Sequence, residues 1–391
     1  MKFSLQIGAF VLSFILCGTA RAQDNQSLAD LQAQLDALTL DFENLLLQDV
    51  MPAPGDSAYG LGPAASKVYS SKSGISIGGY GEARYRNFDS TQMDEFDFHR
   101  GVLYFGHKFN DNWILNTEIE LEHVTETYLE FAYLDHLHSE ALNLRAGLML
   151  TPMGLVNEMH EPTTFLGSTR PLTESYVIPS TWRENGLGIF GRRGDLSYKL
   201  YAITGMDGVP DPDDKGGYGG PKGLRGGRQK GAEATAEDVA VVGSLSWTPT
   251  PGLALGLSAY EGAAGQNAGG GDMDTSIFEL HGDYRSGPVW ARALVADAGV
   301  RDRAEGDMNL GGSYLEVGYD ILAESETQSL YPFVRWETID TDVSAGGIKD
   351  DVLTVGLHYR PIDQVVFKLD HATFQDGTQD DVTTFLIGYV F

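Results

Sequence analysis

Apolar and polar residues alternate at every second position over most of this chain, from residue 75 to residue 391. The first such segment reads ISIGGYGEARYR (75–86) and the last reads DVTTFLIGYVF (381–391). A period of two is typical of β-strands with one apolar and one polar face. Sixteen segments with this pattern can be counted, so the sequence predicts sixteen strands.

The connections between these segments are sorted by length. Most connections after even-numbered segments are tight turns, with sequences such as SE, GD, GP and PID. The connection after the third segment is also short, but the other odd-numbered segments are followed by long ones: 87–96, 151–185, 205–236, 262–273, 299–308, 340–350 and 374–380. Short turns at one end and long loops at the other are typical of an outer-membrane β-barrel. The sequence therefore predicts an all-β fold, a closed antiparallel 16-stranded transmembrane barrel at 75–391.

A closed barrel also satisfies the physics of the membrane. Every backbone N–H and C=O must be bonded inside the hydrocarbon layer, and closure leaves no strand edge unpaired. Sixteen strands are enough to enclose an aqueous channel. In this geometry Thr383, Phe385, Ile387, Tyr389 and Phe391 of the last strand are expected to face lipid, and that strand should pair with the first.

The N-terminal part of the chain predicts export and a helix. Residues 1–22 are typical of a signal peptide, with Lys2, a short apolar run and an Ala-Arg-Ala cleavage site. The leucine-rich segment 23–50 has a 3-4 spacing of apolar residues, at Leu28, Leu31, Leu35, Leu38, Phe42 and Leu45. This spacing predicts a short periplasmic coiled-coil helix; the alternative is one amphipathic helix packed on the barrel domain. Residues 51–74, rich in Pro, Gly, Ser and Ala, are predicted to be a linker.

The charge of the chain excludes some functions. The net charge is −28, and cleavage of the signal would remove Lys2 and Arg21 and leave 25 basic against 55 acidic side chains. Such an excess of acid argues against nucleic-acid binding. The cleaved chain would also contain no cysteine, because Cys17 lies within the signal.

Charged residues on the polar faces of the strands are candidates for lining the pore. The acidic ones fall together on the third and fourth strands, whereas the basic ones fall on other strands. The candidates are Arg84, Arg86, Arg100, Glu118, Glu120, Glu122, Glu130, Arg145, Arg335, Arg360 and Lys368. We expect acidic and basic walls to face each other across a wet lumen and to set ion selectivity. The alternative is that they are merely solvated wall residues.

The longest connection, 151–185, is unusually apolar for an exposed loop. It contains Met153, Phe165, Tyr176 and Trp182, so it is expected to be packed. Folding across the lumen would make it a constriction with charged side chains at its edge, namely Glu158, His160, Glu161, Arg170, Glu174, Arg183 and Glu184. The alternative is a loop packed at a subunit interface.

Two stretches carry a resemblance to a known family. NLRAGLMLTPMGLVNEMHEPTTFLGSTRP (143–171) and VIPSTWRENGLGIFG (177–191) resemble the phosphate-selective porin O/P family of outer-membrane channels. The resemblance implies a homotrimeric passive channel with the third long loop folded inside. It also implies phosphate selectivity through lumen Arg and Lys side chains. The terminal Phe391 resembles the signal recognised by the barrel assembly machinery.

A second loop, 205–236, is basic in the middle, with Lys215, Lys222, Arg225, Arg228 and Lys230. It is a candidate for recruiting anions at the pore mouth or for contacting lipopolysaccharide phosphates, and the alternative is a flexible external loop. Its glycines lack the Gly-Lys-Ser/Thr of a phosphate-binding P-loop.

These observations favour a porin of the Gram-negative outer membrane, a passive diffusion channel for small hydrophilic charged solutes, with phosphate or other anions among the candidates. The main alternative is a structural barrel that tethers the envelope through its coiled coil. An enzyme is not expected, because the MHEP sequence at 159–162 lacks the second histidine of a zinc helix motif. No cofactor or metal is expected either.

Overall fold

We describe the protein from a computed structural model. The structure describes residues 32–40, 57–72, 74–90, 92–210, 217–268, 271–377 and 379–391. The predicted signal peptide therefore lies outside the described residues, as does most of the predicted coiled-coil segment. Residues 32–40 are helical, and Leu35 and Leu38 are exposed on that helix. No helix among the described residues is long and apolar enough to cross a membrane.

Sixteen antiparallel strands form one closed barrel, in which each strand pairs with its neighbours in sequence. The strands are β1 (Gly74–Phe88), β2 (Glu95–Lys108), β3 (Trp113–Glu122), β4 (Glu126–Leu137), β5 (Asn143–Leu150), β6 (Arg183–Arg193), β7 (Leu196–Thr204), β8 (Val239–Thr250), β9 (Leu253–Gly262), β10 (Asp274–Ser286), β11 (Val289–Arg301), β12 (Met308–Tyr319), β13 (Ser329–Asp340), β14 (Lys349–Ile362), β15 (Val365–Phe374) and β16 (Val382–Val390). The predicted fold class is confirmed.

The barrel closes between the first and last strands, as the sequence predicted. The paired residues run from Tyr80 opposite Val390 to Phe88 opposite Val382. Beyond the last strand pair, Phe391 N–H donates to the Gly79 carbonyl at 2.8 Å, and Gly79 N–H donates to the Phe391 carbonyl at 3.0 Å. This closure satisfies backbone groups that an open sheet would leave unpaired.

The two faces of the strands differ as the alternation predicts. On β16, Phe385, Ile387 and Tyr389 are exposed on the outside, whereas Leu386 is completely buried inside. The same pattern on the other strands gives the barrel an apolar outer surface. Lipid can cover this surface, since every strand beneath it is paired with a neighbour on both sides.

The two ends of the barrel differ in their connections. We call the end with the short connections, such as 138–142 and 194–195, the turn end. The opposite end, with the long connections such as 205–238, is the loop end. The chain enters β1 at the turn end.

Two non-strand segments fill much of the interior. The first is the third loop, 151–182, which carries a single π-helical turn at Thr173–Val177. The second is the segment 57–72, called the inner segment here, which contains a short helix at Lys67–Ser70. Leu61, Ala64, Ala65 and Val68 of the inner segment are buried among inward-facing side chains of the barrel.

The inner segment, which is the described part (57–72) of the predicted linker at 51–74, is packed inside the barrel rather than forming a loose spacer. Its glycines and alanines are small because the space is crowded, as Gly62 shows. A Cβ placed there would lie 2.4 Å from Oε1 of Glu161. Composition alone cannot distinguish a loose spacer from a chain that packs closely against neighbours.

The outward orientation of β14 can be tested with a charge. Val355, near the middle of that strand, is 48% exposed on the outer surface. We expect Val355→Arg to lower the free energy of unfolding from lipid vesicles by about 2–4 kcal/mol, because arginine at the bilayer midplane loses its hydration. Val355→Leu is the matched control and should leave it within about 0.5 kcal/mol. Urea titration of both variants measures this, and equal stability would contradict the assigned lipid face.

Candidate functional site: the barrel interior

The third loop lies across the interior and bonds to the wall formed by β12–β15. Lys368 Nζ donates to the carbonyls of Phe165 and Gly167 at 2.9 and 2.8 Å. Glu337 Oε2 accepts from the Leu172 N–H at 2.7 Å, and Arg335 Nη1 donates to the Thr169 carbonyl at 3.0 Å. These contacts place the loop inside the barrel.

The loop is also stabilised by its own buried carboxylate. Glu174 Oε2 accepts from the N–H groups of Leu155 and Val156, both at 2.7 Å. Its other oxygen accepts from the Tyr314 hydroxyl at 2.6 Å, which ties the loop to β12. Burial raises the pKa of Glu174.

Glu161 links the third loop to the inner segment. Its Oε1 accepts from the N–H groups of Ala64 and Ala65 at 2.9 and 3.1 Å. Burial raises the pKa of Glu161 to about 8, although the two N–H donors act in the opposite direction. One carboxyl group therefore connects both segments that fill the barrel.

Charged side chains on the wall pair between neighbouring strands. Arg100 on β2 contacts Glu82 at 2.9 Å, Glu120 at 3.1 Å and Glu122 at 3.7 Å. Arg183 contacts Glu130 at 2.7 Å. Bases thus lie beside acids, and the expected separation into opposed acidic and basic walls is wrong. The strand register, which places Arg100 opposite Glu122, is the physical reason.

The most buried of these pairs joins β4 and β5. Arg145 contacts both oxygens of Asp135, at 2.8 and 2.9 Å, and its guanidinium lies 3.8 Å from the Tyr133 ring centroid. Tyr69 of the inner segment donates to Asp135 at 2.7 Å and covers the pair. Arg335 is held similarly on β13, with Glu337 at 2.8 Å and Glu316 at 3.4 Å.

Most of the predicted pore-lining residues are therefore covered. They face the interior, as expected, but the third loop and the inner segment exclude water from several of them. The covered residues are Glu118, Glu120, Glu130, Arg145, Arg335 and Lys368, each 2% exposed or less. The predicted wet wall is wrong for these six. Arg360 lies towards the turn end and pairs with Asp363 at 3.0 Å.

The predicted constriction residues are also of two kinds: most are covered and bonded to protein groups, and one faces open space. Glu158 pairs with Lys199, and His160 Nε2 lies 3.1 Å from Glu118 Oε1. Glu184, on β6, accepts from the Gln229 N–H at 2.9 Å. Their partners are protein groups, whereas Arg170 lines an open cavity.

This cavity, of about 680 Å³, lies on the loop-end side of the third loop. Its wall comes from β1, β2, β3, β15 and β16. The rest of its lining comes mainly from the third loop and the loop 205–238, with Gln92, Gln379 and Asp380 from two other loops. The charged residues that line it are Glu82, Arg84, Arg86, His99, Arg100, Glu122, Arg170, Arg225 and Asp380. Five of these nine side chains are arginines.

Three of the five arginines lack an acidic partner. Arg86 pairs with Glu95, and Arg100 is surrounded by carboxylates. Among the described residues, no carboxylate lies within ion-pair distance of Arg84, Arg170 or Arg225. Arg170 Nη1 and Arg225 Nη1 instead share the Ser180 hydroxyl, at 3.3 and 3.1 Å. The cavity thus has an excess of positive charge.

The pKa values of the loop arginines reflect this surplus. Burial lowers the pKa of Arg225 to about 10, with Arg170 contributing in the same direction. Burial also lowers the pKa of Arg170, and Arg100 adds to the effect. At a pKa of about 10, Arg225 is cationic at neutral pH, and an entering anion would offset the repulsion between it and Arg170.

Sequence reasoning missed the position of Arg225 and Arg228. The basic composition of 205–236 was the available signal, but nothing in it shows that the loop bends back over the third loop. Arg225 and Arg228 both donate to the Ser180 carbonyl. Lys215 lies outside the described residues.

A histidine cluster beside the cavity is a poor cation site. Ligand atoms of Asp97, His99 and His123 lie within 4.8 Å of one another. However, Arg100 Nη2 lies 2.7 Å from His99 Nε2, and Arg84 is opposite Asp97 in the strand register. These positive charges oppose a metal ion.

The architecture is that of solved outer-membrane porins. The anion-selective porin from Comamonas acidovorans aligns with 82% of this chain and 100% of its own length, at 12% identity and a TM-score of 0.55. Salmonella typhi OmpF, in complex with daunomycin, aligns over 82% and 98%, at 12% identity and 0.56. The trimer form of Vibrio cholerae OmpT, folded in vitro, aligns over 81% and 99%, at 12% identity and 0.53. At these identities the likeness shows the fold alone, and the fold is the porin barrel.

The sequence comparison identifies the family more narrowly. An uncharacterized protein of Aquifex aeolicus (strain VF5) is 34% identical over 387 residues, covering 90% of this chain and 87% of that protein. The chain belongs to the same family as this Aquifex protein. No family model matches the chain.

The buried pair of Asp135 and Arg145 should be critical for stability. We expect Asp135→Asn to lower the free energy of unfolding by about 3–5 kcal/mol, because it leaves an uncompensated guanidinium in the interior. The control, Asp363→Asn, removes the exposed partner of Arg360 and should cost less than about 1 kcal/mol. Denaturant titration in detergent compares the two, and similar losses would contradict this account.

The Glu161 contact should make stability depend on pH. Its pKa is raised from 4.5 to about 8, so the folded protein binds the proton more tightly than the unfolded chain. The free energy of unfolding should therefore fall as pH rises from about 4.5 to 8, by up to roughly 4 kcal/mol. Lys67 and Glu118 also act on this carboxyl. Titrations at pH 5 and pH 8.5 should show a smaller loss for Glu161→Gln than for the wild type. The same loss in both would refute this prediction.

Proposed function

We propose that this protein is an outer-membrane porin, a passive diffusion channel for small hydrophilic charged solutes. The observation that carries the proposal is the arginine-lined cavity inside a porin-type barrel. The apolar outer surface suits lipid, and the polar interior suits solutes that carry their own charge.

The solutes are proposed to be anions, with phosphate as one candidate. Arg84, Arg170 and Arg225 supply guanidinium groups without carboxylate partners, and guanidinium matches phosphate and carboxylate oxygens with paired hydrogen bonds. The overall charge of −28 does not oppose this, because the field that an ion feels inside a cleft is set by the nearest charges. The resemblance to the phosphate-selective porins supports the same preference.

The third loop is proposed to be the constriction. It lies across the barrel interior, and Arg170 on it faces the cavity. A solute that enters from the loop end therefore reaches an arginine before it meets the narrowest part. We also propose a homotrimer in the outer membrane, with lipid and lipopolysaccharide around it; the Vibrio cholerae structure is described as a trimer form.

Conductance in planar bilayers tests the channel, and reversal potential under a salt gradient tests its ion preference. The wild type should conduct in three equal steps per insertion and prefer anions. The triple variant Arg84→Gln, Arg170→Gln, Arg225→Gln should shift the reversal potential towards cation preference, because it removes the uncompensated charges. A several-fold fall in the anion-to-cation permeability ratio is the expected size.

The matched control carries the same loss of charge outside the cavity. Arg192, Arg193 and Arg301 are exposed and do not line the cavity, so replacing all three by glutamine should leave the reversal potential unchanged. If both triple variants behave like the wild type, the arginine cavity does not set selectivity. If the wild type and both triple variants carry no ion current, the protein is not a porin.

A further inference from the structure

We propose that the inner segment, residues 57–72, is a plug that must leave its position before solutes can pass freely through the turn-end half of the barrel. This inference rests on the proposed channel function. It concerns the opposite side of the third loop from the arginine cavity, and it assigns a closed conformation to the structure described above.

The inner segment covers the wall formed by β1–β7. Asn116 Nδ2 on β3 donates to the Ala65 carbonyl at 3.0 Å, and Lys108 Nζ on β2 donates to the Ser71 carbonyl at 3.3 Å. On the far side, the Tyr59 ring centroid lies 5.1 Å from that of Phe190 on β6. These contacts extend across almost half of the barrel circumference.

The third loop covers the other half. Its Trp182 ring centroid lies 5.1 Å from that of Tyr260 on β9, and Pro162 lies against Gly388 on β16. Between them, Leu166 packs with Trp290 on β11 and Phe333 on β13. Since Glu161 joins the two segments, together they form a nearly continuous layer across the barrel. A hydrated ion would have to displace part of this layer.

Of the two segments that form this layer, the inner segment should be displaced from the barrel interior with the smaller loss of free energy. The third loop is tied to strands at both of its ends, β5 and β6. Among the described residues, the inner segment is followed by β1 and is not preceded by a strand. No residue of the inner segment is part of the strand ladder, so its departure would leave the barrel hydrogen bonds intact. A segment that is held by packing and side-chain hydrogen bonds opens more readily than the strand ladder around it.

A reversible cross-link tests whether departure is required. Val68, in the short helix of the inner segment, faces Gly106 on β2, where an added Cβ would lie 2.5 Å from the Val68 Cβ. A shift of about 1 Å would give the Cβ spacing of a disulfide, so Val68→Cys with Gly106→Cys should cross-link under oxidation. The only natural cysteine, Cys17, lies in the predicted signal peptide.

In planar bilayers, the oxidised double variant should conduct at least fivefold less than the same protein after reduction. The single variants Val68→Cys and Gly106→Cys are the controls and should not respond to oxidant or reductant. Thiol labelling measures the cross-linked fraction. Equal conductance of a fully cross-linked and a reduced channel would overturn the plug, and the segment would then be a fixed filler.

A deletion variant tests the plug proposal separately from the channel proposal. Removal of residues 57–72 should raise conductance above that of the wild type, because it clears the turn-end half of the barrel. Folding of this variant is checked by its heat-modifiable migration on gels. A folded deletion variant that conducts no better than the wild type would contradict the plug, while ion currents from both would still support the channel. Absence of current from both would overturn the channel itself.

Discussion

Closure of the backbone hydrogen-bond ladder between β1 and β16 is the constraint on which the rest of the structure depends. A lipid-facing sheet cannot leave an edge unpaired, so its sixteen strands must form a ring. A ring of this size encloses a space that the inward side chains cannot fill. The third loop and the inner segment occupy this space, and both lie where they do because the ring first created an interior to be filled.

Filling the interior changes the role of the charges on its wall. In an open, wet pore a charged wall would act directly on passing ions. Here the segments that exclude water also require each covered charge to have a partner, because an unpaired charge in a dry interior is strongly destabilising. Arg145 with Asp135 and Arg335 with Glu337 are the result. The arginines without acidic partners line the cavity, a part of the barrel interior that the two segments leave open.

The sequence predicted the features that depend on local pattern. Alternation and loop length gave the strand number, the faces of β16 and its pairing with β1. Features set by long-range contact were missed. The pairing of Arg100 with Glu120 depends on register, which alternation does not specify. The burial of Ala64 and Ala65 depends on the distant Glu161, and nothing near them in the chain distinguishes a packed segment from a linker.

The position of the uncompensated arginines is what makes the proposed anion preference compatible with a strongly acidic chain. A net charge describes the whole chain, whereas an ion in the cavity interacts mainly with groups within about one Debye length, ~8 Å at physiological salt. Of the β3 acids, Glu118 and Glu120 are buried, and Glu122, which lines the cavity, lies 3.7 Å from Arg100. Arg170 and Arg225 come from two loops that contribute no carboxylate of their own to the cavity lining. Together with Arg84 on β1, these two loop arginines give the cavity its excess of positive charge, and the strands provide the frame that holds the loops in place.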